Sequence, residues 1–242
     1  MTYCVGLKTQ HGLVFMSDTR TNAGVDNIST FRKMHCWQKP DDRVLVLLSA
    51  GNLATTQAVV SLLDERTKAP DERTPSMIET PSMYQAARLV GDTVKEVIRQ
   101  SAPVGQSADA FGASFILGGQ IRGMAPRLFL IYPEGNFIEV SADTPFFQIG
   151  ETKYGKPILV RAFDPAMSLE ETVKLLLVSF DSTLKSNLSV GLPIDLLYYE
   201  NDTFRIGYEK RIEADDPYLR EISEGWSDAL KRAFKSLPDF KR

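Results

Sequence analysis

The stretch Arg43-Val44-Leu45-Val46-Leu47-Leu48-Ser49 has no polar face. A half-exposed strand alternates apolar and polar residues, whereas an almost unbroken apolar run suits a strand covered on both sides. At Gly51 the period changes. Leu53, Ala54, Ala58, Val59, Leu62 and Leu63 recur at helical spacing as far as about Arg66.

The flanking segments extend this pattern. Tyr3 to Thr9 and Leu13 to Ser17 are β-prone runs separated by Gln10-His11-Gly12, a tight hairpin signal. Lys68 to Pro81 is rich in Pro, Ser, Thr and charge and reads as a loop. Ser82 with Gln85 has capping-box spacing before a long helix faced by Met83, Ala86, Val90, Val94, Val97 and Ile98. Strands are expected at Ala113 to Gly118, Arg127 to Tyr132, Phe137 to Ser141 and Phe146 to Ile149, with a turn at Pro133-Glu134-Gly135-Asn136. Ser168 and Glu171 open a further helix through Phe180 to Leu184. A hairpin of Ile194 to Tyr199 and Thr203 to Tyr208 follows, around Glu200-Asn201-Asp202. The segment Glu213 to Lys235 is charged and helix-prone, with a partial stripe of Trp226, Leu230, Ala233 and Phe234. Grouped strands and grouped helices favour an α+β layered fold over alternating βαβ units. Two packed sheets with helices outside would absorb these runs, although periodicity does not by itself choose that arrangement over a single sheet.

Composition narrows the function classes. The 242 residues are long enough to bury a substantial core. A net charge of -3 without a basic stripe argues against nucleic acid as a partner. Cys4 and Cys36 show no metal-ligand spacing and fit a reduced compartment, with a disulfide left open. His11 and His35 have no carboxylate or Cys cluster around them, so no metal or organic cofactor is implied. No apolar run reaches the roughly 20 residues of a membrane span, and the start lacks a leader pattern. The expectation is a cytoplasmic protein with no membrane partner.

Thr2 follows the initiator Met1 and becomes the N-terminus if Met1 is trimmed. A free N-terminal Thr carries a hydroxyl nucleophile and an α-amine base with a reference pKa of about 8. Three features give that start meaning. The strand ending at Ser17 runs into Asp18-Thr19-Arg20-Thr21-Asn22-Ala23-Gly24, Lys33 lies in Phe31-Arg32-Lys33-Met34, and Ser49-Ala50-Gly51-Asn52 joins strand to helix. A Lys ammonium near the Thr2 hydroxyl would stabilise the developing alkoxide, an Asp would hold that Lys, and the Gly51 N–H would serve as oxyanion donor. About a quarter of such an amine is already free base near neutral pH. Charge stabilisation in the transition state, where one donor is worth about a hundredfold, is therefore the larger use of Lys33.

Thr2, the hairpin, Asp18-Thr19-Arg20 with Ala23-Gly24, Lys33 and Ser49-Ala50-Gly51 together resemble the β-subunit pattern of the proteasome and HslV-type threonine peptidases. Within that group the start Thr2-Tyr3-Cys4-Val5-Gly6 and the run from Ser17 through Lys33 are most similar to the bacterial proteasome-like branch called Anbu. The likeness is most specific from Thr2 to about Ala54 and continues more loosely to about Tyr208. It implies a four-layer αββα sandwich of N-terminal-nucleophile hydrolase type with an added C-terminal helix. It also implies one domain over 1–242, with a core at 2–212 and a helical extension at 213–242. Many copies would assemble as a ring or spiral, and the substrate would be a peptide or unfolded protein. Transferred residue by residue, Thr2 is nucleophile and base, Asp18 and Lys33 support it, Gly51 supplies the oxyanion N–H, and Ser189 flanks the hydrolytic water. Asn22 would bind substrate backbone opposite Gly51 and Leu53, and Phe31, His35, Ser49 and Leu53 would wall the first specificity pocket.

Two departures stand out. Where the β-subunits carry Gly-Ser-Gly, this chain has Gly150-Glu151-Thr152. Where they carry an Asp three residues before a Ser, Ser186 stands three before Ser189, with Asn187 adjacent. Glu151 reads equally as an exposed loop acid or as an active-site group. The expected function is a threonine-type endopeptidase acting after Met1 removal. The alternatives are a non-proteolytic amidase using the same Thr and an assembly subunit with vestigial catalytic residues.

Overall fold

Two five-stranded antiparallel sheets lie face to face between helices in the computed structural model, which describes residues 2–22, 28–68, 76–101 and 108–241. The first sheet runs β10 (Phe146–Gly150), β1 (Tyr3–Lys8), β2 (Gly12–Asp18), β11 (Ile194–Glu200), β12 (Tyr208–Ile212). The second runs β5 (Met34–Lys39), β6 (Arg43–Gly51), β7 (Ala113–Ile121), β8 (Arg127–Ile131), β9 (Phe137–Glu139). A small ribbon of β3 (Arg20–Asn22) and β4 (Ile28–Thr30) stands outside both.

The apolar run of β6 explains the layering. Val44, Val46 and Leu48 point between the sheets onto Phe15, Ile116 and Leu197. Leu45 and Leu47 point the other way, into a core built from α1 (Leu53–Lys68) and α2 (Met83–Ser101). All five are fully buried, at roughly 1.5–3 kcal/mol each of apolar transfer. Across the molecule α3 (Lys156–Ala162) and α4 (Leu169–Ser186) cover the first sheet, where Tyr3, Val5 and Leu7 meet Leu176 and Phe180. The result is an αββα sandwich.

Helix starts follow the expected chemistry. At α4, Ser168 Oγ accepts from the Glu171 N–H at 3.1 Å and the Ser168 N–H donates to Glu171 Oε2 at 3.0 Å. Ser82 Oγ accepts from the Gln85 N–H at 3.2 Å before α2. At α5 (Pro217–Lys235), Asp216 Oδ1 accepts from the N–H groups of Tyr218 and Leu219, both at 3.0 Å.

Several elements differ from the expectation. The second hairpin strand is Tyr208–Ile212, not Thr203 to Tyr208, because Asp202 and Phe204 adopt positive φ angles of 61° and 50°. Those residues make a wide loop, and pairing resumes at Tyr198↔Tyr208. The strands β3, β4 and β5 and the short helix α3 have no counterpart in the sequence reading. Residues 69–75 of the expected Lys68–Pro81 loop lie outside the described residues. Cys4 and Cys36 are both free thiols.

Candidate active site

The chain start is pinned by the end of β10. Thr2 is half-buried, its carbonyl accepts from the Glu151 N–H at 2.6 Å, and Tyr3 pairs with Gly150. Gly150 has a φ of 82°, and a Cβ there would collide with the Thr2 carbonyl. Only glycine meets both demands at low cost.

Behind Thr2, β2 delivers Asp18 into full burial. Its Oδ1 accepts from Lys33 Nζ at 2.7 Å and from the Tyr3 N–H at 2.9 Å, and its Oδ2 accepts from the Gly191 N–H at 3.3 Å. Lys33 is 4 % exposed and also donates to the Arg20 carbonyl at 2.6 Å. An ammonium has three donors, so the third remains for the space in front. Burial pushes the Asp18 carboxyl above its ordinary value, while the Lys33 ammonium and the two backbone N–H groups oppose that push. A buried pair of this kind adds little net stability but fixes geometry.

The Lys33 backbone is tied as well. Its carbonyl accepts from the Ser49 N–H at 2.9 Å and from Ser49 Oγ at 3.4 Å. Ser49 in turn leads to Gly51, the exposed last residue of β6, whose φ of 120° falls in the region favouring glycine. Asn52 then caps α1, its Oδ1 accepting from the Thr55 N–H at 3.1 Å.

In front of these residues opens a cleft of about 810 Å³. Thr2, Lys33, Ser49 and Gly51 line it, with Asn22 and Phe31 on one flank and Leu53 and His35 on the others. Asn22 Oδ1 is buried without a hydrogen-bond partner among the described residues. Burial lowers the His35 imidazole below its ordinary value, the Arg32 charge adding to this and Asp64 opposing it. Beneath the floor, the Cys4 thiol donates to the Ser49 carbonyl at 3.6 Å, and burial pushes its pKa up, away from thiolate chemistry.

Ser189 stands apart from the cleft lining. It sits in the turn after α4, where its N–H donates to Asn187 Oδ1 at 2.9 Å. Glu151 is buried at 7 %, so it is no exposed loop acid. Its Oε1 accepts from the Lys153 N–H at 3.1 Å and its Oε2 from Asn187 Nδ2 at 3.0 Å. The same turn is held from the other side by Arg20 Nη1, which donates to the Leu188 carbonyl at 2.9 Å. Ser186 is exposed. Met1, Ala23 and Gly24 lie outside the described residues.

Sequence reasoning missed several cleft residues: Thr21, Arg32, Thr56, Gln57, Val60 and Gly150. Thr56, Gln57 and Val60 follow Leu53 at helical spacing, a signal that was available once Leu53 was placed on α1. Gly150 had no local signal. Among the described residues, no group of His, Cys, Asp and Glu is arranged to hold a metal ion, and no helix is long and apolar enough to cross a membrane.

Thr2 at the start of the first strand, sharing a cleft with a buried Lys–Asp pair in two sheets sandwiched by helices, points to one family. Its sequence pattern, described as Proteasome subunit, matches residues 2–197. The chain belongs to the proteasome subunit family. It is 28% identical over 202 residues to Proteasome subunit beta 2 of Pyrobaculum calidifontis, covering 83% of this chain and 90% of that one. Among solved structures it is similar to the Anbu (Gly-1) mutant from Hyphomicrobium sp. strain MC1, with 55% identity, a TM-score of 0.93 and 100% of both chains covered. It is also similar to the chain of the helical assembly of the Anbu complex from Pseudomonas aeruginosa, with 44% identity and a TM-score of 0.92. That match covers 99% of this chain and 98% of the other. At the level of the family, the chain is of proteasome-like peptidase type.

Proposed function

We propose that this chain is an N-terminal threonine endopeptidase that works as a homo-oligomer in the cytoplasm. The observation that carries the reading is the Lys33 ammonium, fixed by Asp18 and the Arg20 carbonyl on the wall of the cleft that Thr2 also lines. Once Met1 is removed, the Thr2 amine takes the hydroxyl proton as Oγ attacks the scissile carbonyl. Lys33 and the Gly51 N–H stabilise the oxygen charge that forms. The leaving amine takes the proton from the Thr2 ammonium and departs, leaving an ester on Thr2. Water, activated by the freed amine on the Ser189 side, then hydrolyses the ester. While Met1 remains, the Thr2 nitrogen is an amide without basic character.

The cleft supports peptide over a small acyl substrate. Asn22 and Leu53 stand on separate elements, a strand and a helix, along an open trough of about 810 Å³ with an unpartnered acceptor on Asn22. An extended segment added as a strand would supply the missing donor. Assembly of the Pseudomonas aeruginosa Anbu complex as a helix supports the homo-oligomer.

Mass spectrometry after treatment with a peptide epoxyketone or β-lactone tests the proposal. The expected result is loss of Met1 and one adduct on Thr2, absent from Thr2→Ala. A processed but unmodified Thr2, with no peptide cleavage, would favour the vestigial assembly subunit. An adduct without peptide cleavage would favour the amidase.

A further inference from the structure

The cleft in front of Thr2 is lopsided in charge. Arg32 and Lys33 line it, His35 stands beside them, and among the described residues no Asp or Glu does. The two cations differ in what surrounds them. Lys33 is buried and paired with Asp18 at 2.7 Å. Arg32 is exposed, and no described residue forms an ion pair with it.

The carboxylates whose charge reaches this wall are engaged elsewhere. Asp64, felt by His35, accepts from Trp37 Nε1 at 2.8 Å. Asp195, felt by Arg32, has Oδ1 at 3.7 Å from Arg211 Nε, and Arg211 opposes the rise of its carboxyl more strongly than Arg32 does. A guanidinium without a close counter-charge therefore stands on the wall of an open cleft. The remaining wall suits a side chain with an apolar stem and a polar end. Phe31 and Leu53 supply apolar surface, while Gln57 and Ser61, four residues apart on α1, are exposed hydrogen-bonding groups. A guanidinium takes a carboxylate through two parallel N–H bonds. A cationic side chain would meet Arg32 with no acid on the cleft wall to offset the repulsion.

We propose that the cleft selects peptides with a glutamate on the acyl side of the bond that Thr2 attacks, and that Arg32 determines this preference. The proposal deepens the peptidase reading, and its consequence for turnover rests on that reading.

Fluorescence anisotropy separates binding from turnover, using Thr2→Ala chains and labelled peptides that differ only in Glu, Gln or Lys at the acyl-side position. The Glu peptide should bind about tenfold more tightly than the Gln peptide, the scale of a hydrogen bond to a charged group. The gap should narrow as salt is raised. Arg32→Gln should erase it, and Arg32→Glu should invert the order so that the Lys peptide binds more tightly than the Glu peptide. Because Arg32 is exposed, both variants should keep the melting temperature of the parent. With Thr2 intact, kcat/KM over the same peptides should follow the same order. Equal binding of the Glu and Gln peptides, a gap that survives in Arg32→Gln, or no measurable binding of any peptide would each overturn the proposal. A Glu preference in binding, in a chain whose intact Thr2 cleaves none of the peptides, would support it and refute the endopeptidase reading instead.

Discussion

Replacing Asp18 with Asn removes one charge and keeps an oxygen acceptor for the Tyr3 N–H. The side chain of Asp18 is fully buried and that of Lys33 is 6% exposed, so the substitution leaves a buried ammonium with no opposite charge, beside only the neutral oxygens of the new amide and the Arg20 carbonyl. Breaking one side of a buried pair costs about 3–5 kcal/mol. Denaturant unfolding should therefore show Asp18→Asn about 3–4 kcal/mol less stable, a fall in Tm of roughly 6–16 °C for a chain of this length. Adding Lys33→Met to Asp18→Asn removes the stranded charge and should restore most of the stability while peptide hydrolysis stays abolished. A loss below about 1 kcal/mol would show that Lys33 is not held as the charged partner of Asp18.

Gly150→Ala should cut turnover at least about a hundredfold by displacing Thr2, since misplacement of about 1 Å has that effect. Its unfolding free energy should fall only about 1–2 kcal/mol, the usual penalty for a side chain in left-handed backbone, and a turnover assay run beside a melt separates the two. Glu151→Ala should lower stability by about 1–3 kcal/mol, because Asn187 Nδ2 and the Lys153 N–H lose their acceptor, whereas Glu151→Gln, which keeps one acceptor oxygen, should recover about half in the same denaturant titration. The bond donated by Lys210 holds the Asp216 carboxyl below its ordinary value. A depressed carboxyl contributes stability above its unfolded value of about 4 and loses it as pH falls through the lower folded value. Asp216→Ala should thus cost about 1 kcal/mol at pH 5–7 for the lost helix cap, and the difference should fade below about pH 3.

Legibility in the sequence followed periodicity and local chemistry. The two-faced run at β6 was readable because each residue is apolar, and the start of α4 because Ser168 and Glu171 make both capping bonds. Asp18 was readable as the end of a strand. The shift of β12 was not, because Asp202 and Phe204 take up left-handed backbone without being glycine. The helix α3 is too short for a period of 3.6 to show, spanning seven residues with only Leu159 buried. The strand β5 escaped notice because it is an edge strand that buries only Met34 and Trp37. The supporting contacts around Thr2 come from residues distant in sequence, Gly150 and Gly191 among them, and only register and turn geometry bring them together.

The two departures from the β-subunit pattern are coupled in space. Read singly, Glu151 adds an acid where the family has a Ser, and Ser186 removes an acid from the turn beyond α4. The structure joins the two positions through Asn187, whose Nδ2 donates to Glu151 Oε2 at 3.0 Å while its Oδ1 accepts from the Ser189 N–H at 2.9 Å. One carboxylate therefore still braces this turn, but it reaches across from the end of β10 instead of rising from the end of α4. Because the Glu151 N–H also donates to the Thr2 carbonyl, one residue fixes both the chain start and the turn that presents Gly191 to Asp18. Both Glu151 oxygens are engaged by neutral donors. That arrangement directs the acid into the scaffold, so the charges lining the cleft with Thr2 are the cations of Lys33 and Arg32.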